Sequence, residues 1–231
     1  GEYAQGMMYN DCFERYGRDN DYFALIDTDE FVVPMKFFTN TTHSSIHGVL
    51  EEYLVPFGGA LVVNWMIFGT GNKTRYSPIP TTKRFQFREE EPSGVVKTIA
   101  KITDFVRKRT PHSVFVRHPA LVRTTKEPGY VHKEQFEKMG ATDADLPGDV
   151  LLLYHYRYRS VKEYRIRRCH RGEVNGSFKG CDKKINELSI DKNDHNNHRP
   201  GTVRDDLAWR ILTSRVSKYR AWDSSEWQDF E

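Results

Sequence analysis

The sequence predicts an α/β domain, and two observations carry that reading. Short apolar runs, DYFALID, GGALVVNWMIFG and DVLLLYHYRYR, have the length and composition of buried strands. Between and around them lie segments with helical apolar spacing and recognisable caps. A chain of 231 residues suits one compact domain, or one domain with a small appendage, and residues 1–231 are read as a single domain segment.

In order, GEYAQGMMYNDCFERYG places Ala4, Met7, Met8 and Cys12 at helical spacing, and Gly17 is a C-terminal stop. After the polar RDND turn, DYFALID is a buried strand that ends in acid at Asp27, Asp29 and Glu30. Ser44 or Ser45 can cap a second helix, with Ile46, Val49, Leu50, Tyr53 and Leu54 on one face and Pro56 as breaker. GGALVVNWMIFG is a strand that ends in the glycine-rich turn GTGN. From about Tyr76 to Thr125 the mixture of β-branched residues, proline and charge predicts short strands and loops, and Lys133 to Met139 a brief helix. DVLLLYHYRYR is the third strand; Ser160 and Glu163 form a capping box for a helix that stops near Gly172. Residues 186–201 are polar and read as a loop or mobile segment. Thr202 with Asp205 starts a last helix, with Val203, Leu207, Ala208, Ile211, Leu212 and Val216 on one face.

Composition narrows the function. The hydrophobic share of 38% and charged share of 29% fit a soluble globular protein, and the 13% aromatic content suits either a core or sugar platforms. A net charge of +3 is too small to point to nucleic acid. No apolar run approaches the ~20 residues that span a bilayer. The chain opens without an initiator Met or signal-peptide pattern, which predicts a segment of a longer protein. Cys12, Cys169 and Cys181 lack the paired short spacings of a zinc site; Cys169 and Cys181 could close a small loop in an oxidising compartment, or all three could stay free. Sequons at Asn40, Asn72 and Asn175 permit a secretory lumen without requiring it.

The strongest local signal is Asp27-Thr28-Asp29-Glu30 behind an apolar strand. In extended chain, residues i and i+2 project to one side, so both aspartates can face one point. Two close carboxylates repel unless a cation or a shared proton lies between them. Hard oxygens favour Mg²⁺ or Mn²⁺, which leave positions open for phosphate oxygens, and the carboxyl end of a strand is where open α/β sheets bind ligands. A bound cation would stabilise the charge on a departing diphosphate. The competing account is a solvated acidic turn.

DYFALIDTDEFVVP, then VVNWMIFGTGN, KRFQF, VKTIAK and YHYRYRSVKEY, together resemble glycosyltransferase family 92 and its DxD-containing relatives, from about Gln5 to Gly172. The resemblance implies a GT-A-like fold, a Rossmann-like mixed sheet flanked by helices, acting on a nucleotide sugar with a divalent metal. It implies that Asp27 and Asp29 hold metal and donor, that Glu30 supports the donor end, and that His155 completes the metal shell. Lys97 then falls where a basic residue meets the diphosphate, and Trp65, Phe68 and Gly69 border the acceptor. It makes UDP-galactose the first donor to test, inversion the expected stereochemistry, and a glycan or glycoprotein the acceptor. It implies a Golgi-lumenal enzyme behind an anchor outside this segment if the source is eukaryotic, and a cytoplasmic one if viral or bacterial. Only 26 residues precede Asp27, so the resemblance places the nucleotide-binding strands of such a domain upstream or on another chain.

Each assignment has a plainer rival: His155 as a satisfied strand-end residue, Trp65 as core, Lys97 as a surface lysine. Lys162, Arg165, Arg167, Arg168 and Arg171 could grip phosphate or nucleic acid, but they spread over several helix faces, as in a solvated helix. An inverting transfer also needs a base, and Glu89, Glu90, Glu91, Asp143 and Asp145 are not separable by sequence. Two other functions compete. A haloacid-dehalogenase-type phosphatase also sets D-x-D behind a strand, though Glu30-Phe31 departs from its usual continuation. A non-enzymatic carbohydrate- or nucleic-acid-binding module could use YHYRYRSVKEYRIRR.

Overall fold

The computed structural model describes residues 4–117, 122–124, 150–164, 166 and 199–223. The expected helix at 133–139, Cys169 and Cys181, the Asn175 sequon, Asp143 and Asp145, Arg165, Arg167, Arg168 and Arg171, and positions 186–198 of the polar segment lie outside them. The architecture is α/β, with a mixed, curled sheet flanked by helices. The chain forms two compact units, Gly1–Met66 with Glu91–Tyr154 and Ile67–Glu90 with His155–Glu231.

The first unit is built on β1 (Tyr22–Ala24), β2 (Glu30–Pro34), β3 (Ala60–Ile67), β5 (Ser93–Lys101), β8 (Val122–Arg123) and β9 (Leu151–His155). They form one sheet in the order β1-β5-β3-β9-β2, with β8 alongside β3. The pairs β1–β5 and β3–β5 are antiparallel and β3–β8 is parallel. β5 carries VVKTIA, whose β-branched residues suit a pleated surface packed on both faces. Leu25, Ala60, Val62, Val96, Ala100, Phe105, Val114 and Val116 form a core cluster with Tyr9, Phe13 and Phe23 against it. Phe105 lies on β6 (Phe105–Lys108), which pairs with β7 (Val114–Val116) in a separate hairpin.

Two expectations change here. The first helix, α1 (Ala4–Tyr16), ends at Gly17 as expected, but Met7 and Met8 are 60% and 70% exposed and Cys12 is exposed. The partly buried face is Tyr9 and Phe13, four residues apart, which pack against the core cluster; the Phe13 ring meets Phe23 and Phe105, with the Phe13–Phe105 centroids 4.4 Å apart. DYFALID is not one buried strand either. β1 is three residues long at the edge of the sheet, with Ala24 exposed, and its pairing with β5 stops at Ala24 opposite Ile99. Its companion α2 (Ile46–Tyr53) follows expectation except at Ile46, which is exposed: Ser45 Oγ accepts the Gly48 N–H at 3.0 Å, and Val49, Leu50 and Leu54 are buried.

The second unit holds the short helix α3 (Thr81–Arg84), the pair β4 (Phe87–Arg88) and β10 (Val203–Arg204), and α4 (Leu207–Arg215). Val203 is therefore in a strand rather than on a helix face, and Asp206 is the N-cap residue of the last helix. The reason is a long-range one: Thr202 donates its N–H to the Arg88 carbonyl, and the chain is spent on that ladder before the helix starts. Gly69 and Gly201 mark a close backbone approach; a Cβ at Gly69 would stand 2.2 Å from the Arg199 oxygen. The capping box is present, with Glu163 N–H bonded to Ser160 Oγ at 3.3 Å and Ser160 N–H to Glu163 Oε2 at 3.3 Å. Glu163 also binds the buried guanidinium of Arg84.

Candidate functional site

The acidic block lies in a turn between β1 and β2. The Glu30 N–H donates to the Asp27 carbonyl at 3.1 Å, and the Asp27 N–H donates to Glu30 Oε2 at 2.7 Å. This reciprocal pair replaces the extended geometry expected of the D-x-D stretch, so the i, i+2 rule of a strand does not govern Asp27 and Asp29. Asp29 and Glu30 are buried, whereas the Asp27 side chain is 40% exposed.

Asp27 and Glu30 meet a lysine within the fold. Lys97 projects from β5, opposite Val63 on β3, and its side chain is 1% exposed. Its Nζ donates to Asp27 Oδ2 at 3.0 Å and lies 3.4 Å from Glu30 Oε2. A buried ammonium is tolerable only with such partners. Glu30 Oε1 is buried and, among the described residues, without a hydrogen-bond partner. Burial pushes the Glu30 carboxyl up to about 7, while the Asp27 N–H and the Lys97 ammonium pull it down. A carboxyl that holds a proton part of the time is the form that tolerates an orphaned oxygen.

The carboxylates of Asp27 and Asp29 are the hard donors that Mg²⁺ or Mn²⁺ takes, and such ions commonly rest on one or two carboxylates with phosphate oxygens filling the shell. Asp27 fits that use, since half of its carboxylate is held by Lys97 while the side chain reaches solvent. Among the described residues, no group of three or more His, Cys, Asp or Glu side chains is gathered for a metal ion.

The remaining candidates divide between the units. Trp65 belongs to the first, buried on β3 just past a bulge at Asn64, whose Nδ2 donates to the Ser93 carbonyl at 2.9 Å. Phe68, Gly69 and His155 belong to the second. Phe68 is fully buried, stacked on Tyr156 with centroids 4.6 Å apart, and its N–H donates to the His155 carbonyl at 3.0 Å. Gly69 donates its N–H to the Phe87 carbonyl at 2.8 Å, so its lack of a side chain already has a packing reason. His155 is buried at the end of β9. Of the candidate bases, Glu89 is in the second unit, 3.8 Å from Arg199.

One residue of this neighbourhood escaped the sequence reading. His112, in the β6–β7 turn, sets its ring edge-on to Trp65 at 5.1 Å between centroids and its Nδ1 3.0 Å from the Val96 carbonyl. Nothing in RTPHS signals this, because both partners come from other strands.

Comparison with protein-family models, curated proteins and solved structures finds no match to this chain. No helix among the described residues is long and apolar enough to cross a membrane.

Proposed function

We propose that this chain is the catalytic segment of a metal-dependent, GT-A-type glycosyltransferase related to family 92. It moves a hexose, with galactose the first to test, from a nucleotide-diphosphate sugar to a hydroxyl of a glycan or glycoprotein. The observation that carries the reading is the acidic turn at the end of β1, where Asp27 keeps an accessible carboxylate anchored by a buried lysine. Asp27 and Asp29 would hold Mn²⁺ or Mg²⁺, which when bound supplies positive charge against the departing diphosphate. Lys97 holds the Asp27 carboxylate in place. Glu30 ties the turn closed through the Asp27 N–H. Because Lys97 is buried on these acids, its contribution to donor binding runs through Asp27 rather than through direct phosphate contact. In a eukaryotic source this reading places the protein in the Golgi lumen, and in a viral or bacterial one in the cytoplasm.

The test is calorimetry of UDP-galactose and related donors on the full-length protein, with and without Mn²⁺. Donor binding that requires Mn²⁺ and disappears in Asp27→Asn supports the reading. Donor binding indifferent to EDTA, or a phosphoenzyme trapped on Asp27, removes it.

A further inference from the structure

An inverting transfer needs a group that takes the acceptor proton, and the first unit holds an imidazole in a fixed pose. The backbone of His112 is tied on both sides: its N–H donates to Thr110 Oγ1 at 3.1 Å, and its carbonyl accepts from Thr98 Oγ1 at 2.8 Å. The ring is tied as well. Its Nδ1 stands 3.0 Å from the Val96 carbonyl, which can only accept, so Nδ1 carries the hydrogen. In the neutral ring Nε2 is then left with its lone pair.

The surroundings suit that state. Val96 immediately precedes Lys97, whose ammonium lies on Asp27 and Glu30. Burial and the Lys97 charge hold the imidazole below its ordinary value; the Val96 carbonyl and Asp27 act in the opposite sense. Trp65, expected to border the acceptor, faces the ring edge-on. The imidazole is thus half-buried, pre-oriented and unprotonated near the acidic turn, as a base for a sugar hydroxyl needs to be.

We propose that His112 is the general base of the transfer, its Nε2 accepting the acceptor hydroxyl proton as that oxygen attacks the anomeric carbon. The new carbon–oxygen bond forms while the bond from the anomeric carbon to the diphosphate oxygen breaks, and the bonding pair leaves on that oxygen. The imidazolium then returns its proton to solvent. The proposal rests on the transferase reading above.

The experiment compares wild type, His112→Ala and His112→Asn in the full-length chain. The Asn side chain keeps a donor for the Val96 carbonyl and controls for folding, checked by circular dichroism. Both variants are expected to lose about 10²–10⁴-fold in kcat, with Mn²⁺-dependent donor affinity within about twofold of wild type. Added imidazole should restore part of the turnover of His112→Ala. Unchanged kcat in either folded variant overturns the proposal, and so does a loss that imidazole fails to rescue while donor affinity falls in parallel. Absence of Mn²⁺-dependent donor binding in wild type removes the transferase reading itself, whereas intact binding with unimpaired variants removes only the base.

Discussion

The Lys97 ammonium and the Asp27 carboxylate, 70 residues apart in the chain, meet at 3.0 Å across the edge of the first unit's sheet. The lysine is buried and the aspartate is partly open, so one partner belongs to the core and the other to the surface. That asymmetry shapes what substitutions at the site should do.

Lys97→Met removes the ammonium and strands two carboxylates. Loss of one partner of a buried pair typically costs ~3 kcal/mol or more, and Glu30 can relieve part of that by taking up a proton. Urea denaturation should therefore show a loss of about 2–3 kcal/mol near pH 8 and a smaller one near pH 5. Equal stability of variant and wild type would show that the ion pair is not formed in solution.

Glu30 makes the fold itself pH-dependent. An unfolded chain ionises this carboxyl near 4.5, and the folded one near 7. Between those values the folded state binds more protons, so stability is highest at the acidic end. It is lost as pH rises through the folded value, and is flat above it, by at most about 3 kcal/mol. Glu30→Gln, which cannot ionise, should abolish this slope in metal-free buffer. Denaturant midpoints at pH 5 and pH 8 that coincide in wild type would contradict the assignment.

Ser45→Ala deletes the side-chain acceptor for the Gly48 N–H at the start of α2. A lost cap of this type costs about 1 kcal/mol. Ser44→Ala, a residue earlier, should cost much less, and thermal melts of the two variants separate them.

Gly69→Ala drives a methyl group into the Arg199 carbonyl and the Pro200 backbone. Such overpacking costs about 1–3 kcal/mol, with the upper end expected because the obstacles are main-chain atoms. A variant as stable as wild type would mean that the 199–201 backbone yields without cost.

Some of this was legible in the sequence, and the physical reason is locality. The cap and periodicity of α2 lie within a dozen residues, and the apolar run of β3 announces a strand covered on both faces. The acidic turn was visible as a block of side chains, but its geometry was not. The turn is closed by Glu30, and its neutralising charge sits on β5. Lys97 read as a contact for the diphosphate or else as a surface lysine, and not as a buried one, because its burial depends on where β1 and β3 lie beside β5. His112 was invisible for the same reason. The last helix was placed too early because the pairing of Val203 with Arg88 spans more than a hundred residues of chain.

The rooting of Lys97 in β5 also bears on how this centre could be redesigned. A library that randomises position 97 would mostly return destabilised protein, since every replacement must first satisfy the sheet interior. Thr28, exposed between the two aspartates, carries no such obligation. If the turn binds a donor as proposed, selection for altered donor preference has its freest handle there, one residue from the acids and outside the packed interior.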